Sequence, residues 1–484
     1  MTHIELPRTE LFINGEWCPA KGGTFDVENP TDGSTITTLE SADASDVDRA
    51  VDAARQAFDS GPWSRLTGLE RGRLLNGLAD LVEQHAERFA ALEALDVGKP
   101  YLDALVVDVD LAVKTFRHFA GWADKVHGAT IPVPDHMGRP RLSYTERVPV
   151  GVVGAITPWN APTMITSWKL ASALAAGCTV VLKPAEDAPL VSQLLAELVD
   201  AAGFPPGVLN VVNGPGHVTG AALTAHPGVD KLSFTGSPEV GRLIARAAAD
   251  SFKAVTLELG GKSPQIIFAD ADVEALAPVA ATSVFANSGQ TCAAGTRILV
   301  HRSRVDDVTS ALAEQASRQR LGDPFDAATT MGSLINAGQR DRVMGYIESG
   351  LAEGAEVVTG GRAPARAGYF VEPTLFVGTN ELRIARQEIF GPVGTIIPFD
   401  DPEEAIRLAN ATEYGLAAVI WTRDINAAMS AARGLKVGAV WVNSWGAPDP
   451  GLPWGGMKTS GVGRELGLSG LLANTEERLV NIVY

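Results

Sequence analysis

Apolar side chains recur at helical spacing early in the chain. Val47, Ala50, Val51, Ala54, Ala57 and Phe58 share one face, and Gly61-Pro62 stops the run. Two more amphipathic helices are expected over about residues 70–92 and 102–126. From residue 148 the rhythm changes. Val148–Ile156, Thr179–Lys183, Val208–Val212, Lys231–Phe234 and Val255–Leu257 read as short buried strands, with helices near 162–176 and 189–202 among them. Apolar strands alternating with helices of about 10–15 residues imply a parallel sheet covered on both faces. The expected fold class is therefore α/β, with a doubly wound parallel-sheet nucleotide-binding domain. A second α/β series, with strands near 264–268, 297–301, 394–399, 417–421 and 438–442, predicts a second domain. Gly260-Gly261 is the expected hinge, because glycine tolerates the backbone angles a domain crossing needs.

Composition narrows the function classes. Hydrophobic residues make up 45% and charged residues 20% of the 484 positions, an ordinary ordered globular mix. The formal charge of −17 disfavours nucleic acid and anionic membrane partners. No apolar run reaches the ~18 residues that would span a bilayer, and the N-terminal segment lacks the apolar stretch of a secretory signal. A cytoplasmic location is expected. Cys18, Cys178 and Cys292 are too few for a disulfide framework, and none has zinc-site spacing, so no metal is expected.

Four segments carry candidate chemistry. Cys292 lies in Ser288-Gly-Gln-Thr-Cys-Ala-Ala-Gly-Thr-Arg297, a small polar loop after an expected helix at about 273–287. It reads either as a buried structural thiol or as a nucleophile. Glu258, in Leu257-Glu-Leu-Gly-Gly-Lys-Ser-Pro264, ends an apolar strand, where α/β sheets bind ligands, or is a solvated edge charge. Phe234-Thr-Gly-Ser-Pro-Glu-Val-Gly241 is neither a G-x-G-x-x-G fingerprint nor a Walker A loop. Gly236 and Ser237 before a helix N-terminus can still receive a pyrophosphate. Asn160, in Thr157-Pro-Trp-Asn160, can donate to an oxyanion or cap the next helix.

Together these segments resemble the NAD(P)-dependent aldehyde dehydrogenase superfamily over essentially the whole chain. The matching motifs, in family order, are Pro158-Trp-Asn160, Lys183-Pro-Ala-Glu186, Phe234-Thr-Gly-Ser237, Glu258-Leu-Gly-Gly-Lys262, Gly289-Gln-Thr-Cys292, Glu388-Ile-Phe-Gly-Pro392 and Pro453-Trp-Gly-Gly-Met-Lys-Thr-Ser-Gly-Val-Gly-Arg-Glu465. The resemblance implies oxidation of an aldehyde to a carboxylic acid. Cys292 would attack, Asn160 and the Cys292 N–H would hold the oxyanion, and Glu258 would activate water against a thioester. It also implies that NAD contacts Lys183 and Glu186 (adenosine ribose), Gly216 (adenine), Gly236 and Ser237 (pyrophosphate), Glu388 (nicotinamide ribose) and Leu259 (carboxamide). Ile156, Thr157, Pro158, Trp159, Phe234, Gly241 and Phe390 belong to the same implied cofactor site. Glu186 favours NAD over NADP, since a carboxylate repels a 2′-phosphate; NADP stays open.

By the same likeness residues 1–126 and 150–260 form the NAD-binding domain and 261–473 the catalytic domain. Residues 127–149 and 474–484 form a small β oligomerisation arm, which implies a homodimer or homotetramer. Trp168 and Trp454 resemble two walls of the aromatic cage in betaine and aminoaldehyde members, but Ala161 and Ala286 stand where other cage residues would be. Small residues beside Trp168, Trp445 and Trp454 suggest a bulky apolar or aromatic aldehyde. Coenzyme-A-acylating relatives lack the general base that Glu258 supplies, and a non-catalytic homologue would be expected to lose Cys292, Asn160 or Glu258. Lys169 and Glu465 match positions of a proton relay or a structural ion pair.

Overall fold

The computed structural model of the chain describes residues 4–446 and 448–484. Its largest sheet has eight strands, in the spatial order Gly461–Val462, Ala254–Glu258, Lys231–Thr235, Val152–Ile156, Thr179–Lys183, Leu209–Val211, Leu11–Ile13 and Glu16–Cys18. The middle five run parallel. Val152–Ile156 and Thr179–Lys183 are buried throughout, which is why their sequences are continuously apolar instead of alternating. Strand order reverses between Val152–Ile156 and Lys231–Thr235, and ligand crevices open at the carboxyl ends of strands at such a switch point.

A second sheet of seven strands runs Glu356–Thr359, Thr374–Val377, Val393–Phe399, Arg297–His301, Pro264–Ile267, Ala417–Trp421 and Ala439–Val442. Its first two strands carry no strong periodicity and were not expected from the sequence. A third sheet joins Thr130–Ile131, Arg141–Pro149 and Thr475–Val483, the last two paired from Thr475↔Pro149 to Val483↔Arg141. Among the described residues, no helix is long and apolar enough to cross a membrane.

Two expectations need correction. The strand expected over 148–156 is two strands in different sheets, because Pro149 lacks an N–H and Gly151 turns the chain at φ +130°. A Cβ on Gly151 would lie 1.9 Å from Asp230 Oδ2, the same carboxylate that accepts the Val152 N–H at 2.7 Å. The helix expected over 70–92 is two, Gly68–Gln84 and Ala86–Val97, broken at His85 with φ −104° and ψ 19°. Far along the chain, Gly461–Val462 returns to pair with Leu257 and Glu258.

One buried polar side chain ties the second sheet to its helix. Gln265 Nε2 donates to Ala280 O, Ser283 Oγ and Gly295 O at 3.1, 2.7 and 2.9 Å, and its Oε1 accepts from Trp421 Nε1 at 3.0 Å. Gln265→Leu would leave Trp421 Nε1 and Gly295 O without this partner in the core, while Ser283 Oγ and Ala280 O keep each other. We expect a loss of about 3 kcal/mol or more, measured as a lower apparent Tm by circular dichroism; an unchanged Tm would contradict this account.

Candidate active site

Glu258 stands at the carboxyl end of its strand, beside Thr235. It is 3% exposed, and neither carboxylate oxygen has a protein partner. Burial raises its carboxyl well above the usual range and the nearby Glu465 charge adds to this, against Lys169 and Arg464. Lys169 and Glu465 form a buried ion pair at 2.6 Å, bridged by Ser233, whose hydroxyl accepts from Lys169 Nζ and donates to Glu465 Oε1.

The cysteine loop follows the Val273–Phe285 helix. Asn287, Ser288 and Gly289 take left-handed φ values of 51°, 56° and 73° in succession, a run that Asn and Gly tolerate best. Glycine is required at 289, where a Cβ would sit 2.1 Å from Gly391 O. The bend presents the Gln290 carbonyl to Asn160 Nδ2 at 2.9 Å and to Asn287 Nδ2 at 3.3 Å. Gln290 Oε1 accepts the Ile335 N–H at 2.9 Å, and Ser288 Oγ donates to Gly332 O at 2.9 Å. Asn160 thus uses one amide hydrogen to hold the loop and keeps a second for the cleft. Cys292 is half-buried on that cleft. Burial pushes its thiol up to about 12, and the Glu388 and Glu258 carboxylates add to the shift.

Gly260 and Gly261 serve close approach rather than unusual backbone angles, since neither has positive φ. A Cβ on Gly260 would lie 2.0 Å from Glu388 Oε2, and one on Gly261 2.4 Å from Cys292 O. Gly261 N–H donates to Glu388 Oε1 at 2.9 Å. Burial raises Glu388 to about 7 despite that bond and the cations Arg342 and Lys262. Lys262 is buried with no partner for Nζ; desolvation and the Arg297 guanidinium lower it to about 7.

Cys292, Glu258 and Asn160 line one cleft with Pro158, Trp159, Gly236, Ser237, Leu259, Glu388 and Phe390. Trp159 and Phe390 meet edge to face at 5.3 Å. Ser237 caps the Pro238–Ala249 helix by accepting the Val240 N–H. Phe234 lies under Gly236, Gly241 packs on the Leu259 side chain, and Ile156 and Thr157 are buried behind. Lys183, Glu186 and Gly216 form a separate cluster: Lys183 Nζ meets Glu186 Oε2 at 2.8 Å, and the Gly216 N–H donates to Glu186 Oε1 at 3.0 Å. Burial opposes ionisation of Glu186, but Lys183 and the Gly216 amide hold it below the usual range.

Ala161, Trp168 and Trp454 are buried in the core, not on this cleft. Trp168 and Trp454 pack edge to face at 6.4 Å, and Trp441 fills the space beside Trp454 at 5.9 Å. Trp445 is half-buried, donating from Nε1 to Ala293 O at 3.3 Å. Cys292 and Trp441 pack against the cluster that holds Trp168 and Trp454.

The profile of the Aldehyde dehydrogenase family matches residues 17–480. The chain belongs to the aldehyde dehydrogenase family. It is 46% identical to human retinal dehydrogenase 2, over 99% of this chain and 93% of the relative. It superposes on the NAD+ complex of an aldehyde dehydrogenase from Bacillus cereus with a TM-score of 0.96 and 46% identity, covering 98% and 96% of the two chains. A Pseudomonas syringae indole-3-acetaldehyde dehydrogenase, solved with NAD+ and IAA, matches with a TM-score of 0.96 and 42% identity over 99% and 97%.

Sequence reasoning missed Gln339, Arg342 and Tyr414 on the cleft of this aldehyde dehydrogenase. Gln339 Nε2 donates to Phe390 O at 2.7 Å and Arg342 Nη2 to Glu388 O at 3.0 Å, so the Ala337–Ala352 helix holds the 388–390 segment. The spacing of Gln339 and Arg342, three apart on one helix face, was the available signal. A thiol held near 12 is neutral at physiological pH, and only thiolate is alkylated. Carbamidomethylation of Cys292 in the cofactor-free protein should therefore accelerate about tenfold per pH unit between about pH 7 and 9. Peptide mass spectrometry checks this; a rate that levels off below that range would contradict the raised thiol.

Proposed function

We propose that this aldehyde dehydrogenase oxidises an apolar aldehyde to its carboxylic acid with NAD, through a covalent Cys292 adduct. The observation that carries the reading is Glu258: a buried carboxylate with both oxygens free, on the same cleft as a thiol and an unspent Asn160 N–H. A carboxyl raised well above its usual range is a stronger base, suited to taking a proton from water. The Cys292 thiol gives its proton to solvent, and its sulfur bonds to the carbonyl carbon as the C=O π pair moves to oxygen. The second Nδ2 hydrogen of Asn160 and the Cys292 backbone N–H receive that oxyanion. Bound NAD supplies the hydride acceptor. When the oxyanion collapses a thioester remains; Glu258 takes a proton from water, hydroxide adds to the acyl carbon, and the acid leaves as Cys292 regains its proton.

The residues present fit the cofactor. The cleft holds about 190 Å³ of open space by Cys292, a volume suited to the nicotinamide end. Thr235 Oγ1 is a buried hydroxyl without a protein partner there. Ser237 and the following helix N-terminus would hold the pyrophosphate, Glu388 and Leu259 the nicotinamide half, and Lys183 with Glu186 the adenosine ribose. The B. cereus complex supports NAD use. An ionised Glu186 supports NAD over NADP.

The apolar cluster around Trp168, Trp441 and Trp454 beside Cys292 supports an apolar or aromatic aldehyde. The edge-to-face packing of Trp168 and Trp454, with Trp441 beside Trp454, disfavours a quaternary ammonium group. Thr475–Val483, paired on one side only, supports assembly through residues 127–149 and 474–484, with 1–126 plus 150–260 and 261–473 as the two larger functional units.

Two outcomes are expected. Asn160→Ala should lower kcat about 10²–10³-fold with the KM for NAD nearly unchanged; a kcat near the parental value would remove Asn160 from the oxyanion site. Glu258→Gln should release one equivalent of reduced cofactor in a stopped-flow burst and then stall. Steady turnover at the parental rate would exclude Glu258 as the base for hydrolysis.

A further inference from the structure

The Pro162–Ala176 helix starts without a cap of its own. Its N-cap residue is Ala161, which offers no side-chain acceptor, and Pro162 has no N–H to satisfy. The first free amide is that of Thr163, and its acceptor comes from far away in sequence: Glu93 Oε2, at 3.3 Å. Glu93 lies in the Ala86–Val97 helix and is fully buried. Its other oxygen pairs with Lys99 Nζ at 2.9 Å, and Lys99 also meets Asp108 Oδ2 at 2.9 Å. A buried carboxylate is costly unless its charge is compensated. Here Lys99 and the positive end of a 15-residue helix both compensate it.

The amide that Glu93 holds is three residues from Asn160. The main chain of Asn160 is fixed from the other side by Asn287 Nδ2, which donates to Asn160 O at 2.8 Å. The end of the Glu93 helix also braces the cysteine loop. Gly98 O presses on Gly332, where a Cβ would lie only 1.8 Å away, and Gly332 O accepts the Ser288 hydroxyl. One helix end therefore touches both walls of the oxyanion site.

We propose that Glu93 is a positioning residue: by capping the helix at Thr163, with its other oxygen held by Lys99, it aims the Asn160 amide at the substrate oxygen. This rests on the reading of Asn160 as an oxyanion donor. Reach, more than charge, is what the cap needs. Glu93→Asp keeps the charge for Lys99 but draws the carboxylate back from Thr163 by one methylene. Glu93→Gln keeps the reach and an oxygen acceptor.

The test is the stopped-flow burst rate of reduced cofactor in the assembled enzyme, with the Kd for NAD measured in parallel. Glu93→Asp should slow the burst about tenfold or more while the Kd for NAD stays within about twofold. Glu93→Gln should burst within about threefold of the parent. Each variant decides by itself. A parental burst in Glu93→Asp, a burst as slow in Glu93→Gln as the one expected for Glu93→Asp, or equal losses in burst rate and NAD binding would overturn the proposal. Asn160→Ala run alongside separates the two failures: if it bursts at the parental rate, the oxyanion reading falls, and if it is slow while Glu93→Asp is not, only the positioning role falls.

Discussion

The hydrogen bond from Asn160 Nδ2 to the Gln290 carbonyl links two parts of the chain that share no sheet. Asn160 follows a central strand of the eight-stranded sheet, and Gln290 belongs to the loop that precedes the Arg297–His301 strand of the seven-stranded one. The bond forms only because Asn287, Ser288 and Gly289 turn left-handed together, and that turn leaves no room for a side chain at 289. The thiol, the amide and the Glu258 carboxylate therefore have one relative geometry, fixed by backbone sterics and by Gln290 being held at both ends.

That rigidity has an electrostatic consequence. Glu258, Glu388 and Cys292 crowd acidic groups into a dry cleft, and each is pushed toward its neutral form by burial. The cations that could neutralise them are occupied or held back. Lys169 is bound to Glu465 and Ser233, and Arg297 is spent on backbone carbonyls and Asn380. The resting site is thus a set of weak acids with raised values instead of an ion pair, which leaves the Glu258 carboxylate a stronger base toward water.

Much of this was legible in the residues. The Thr179–Lys183 run, apolar between its ends, matches its strand to the residue, and Lys231–Phe234 stops one residue short of the Lys231–Thr235 strand. Glu258 at a strand end and Cys292 in a small polar loop were visible as well. Other features depend on tertiary contacts that no local pattern encodes. The glycines at 260 and 261 looked like a hinge, yet what forbids a side chain there is Glu388 and the Cys292 carbonyl, far along the chain. The packing of Trp441 against Trp454 was not visible, because Trp441 announces nothing in sequence. Gln339 and Arg342 share a helix face, but their partners, the backbone carbonyls of Phe390 and Glu388, lie in a distant segment that no local pattern encodes.

The central claim is that Cys292 carries the acyl group and Glu258 is needed to release it. The most direct measurement is peptide mass spectrometry of Glu258→Gln, acid-quenched during reaction with NAD and an apolar aldehyde. The account predicts the acyl mass of that aldehyde on the peptide containing Cys292, absent when Cys292 is alanine. An acyl group on another residue, or reduced cofactor formed with no adduct at all, would contradict it.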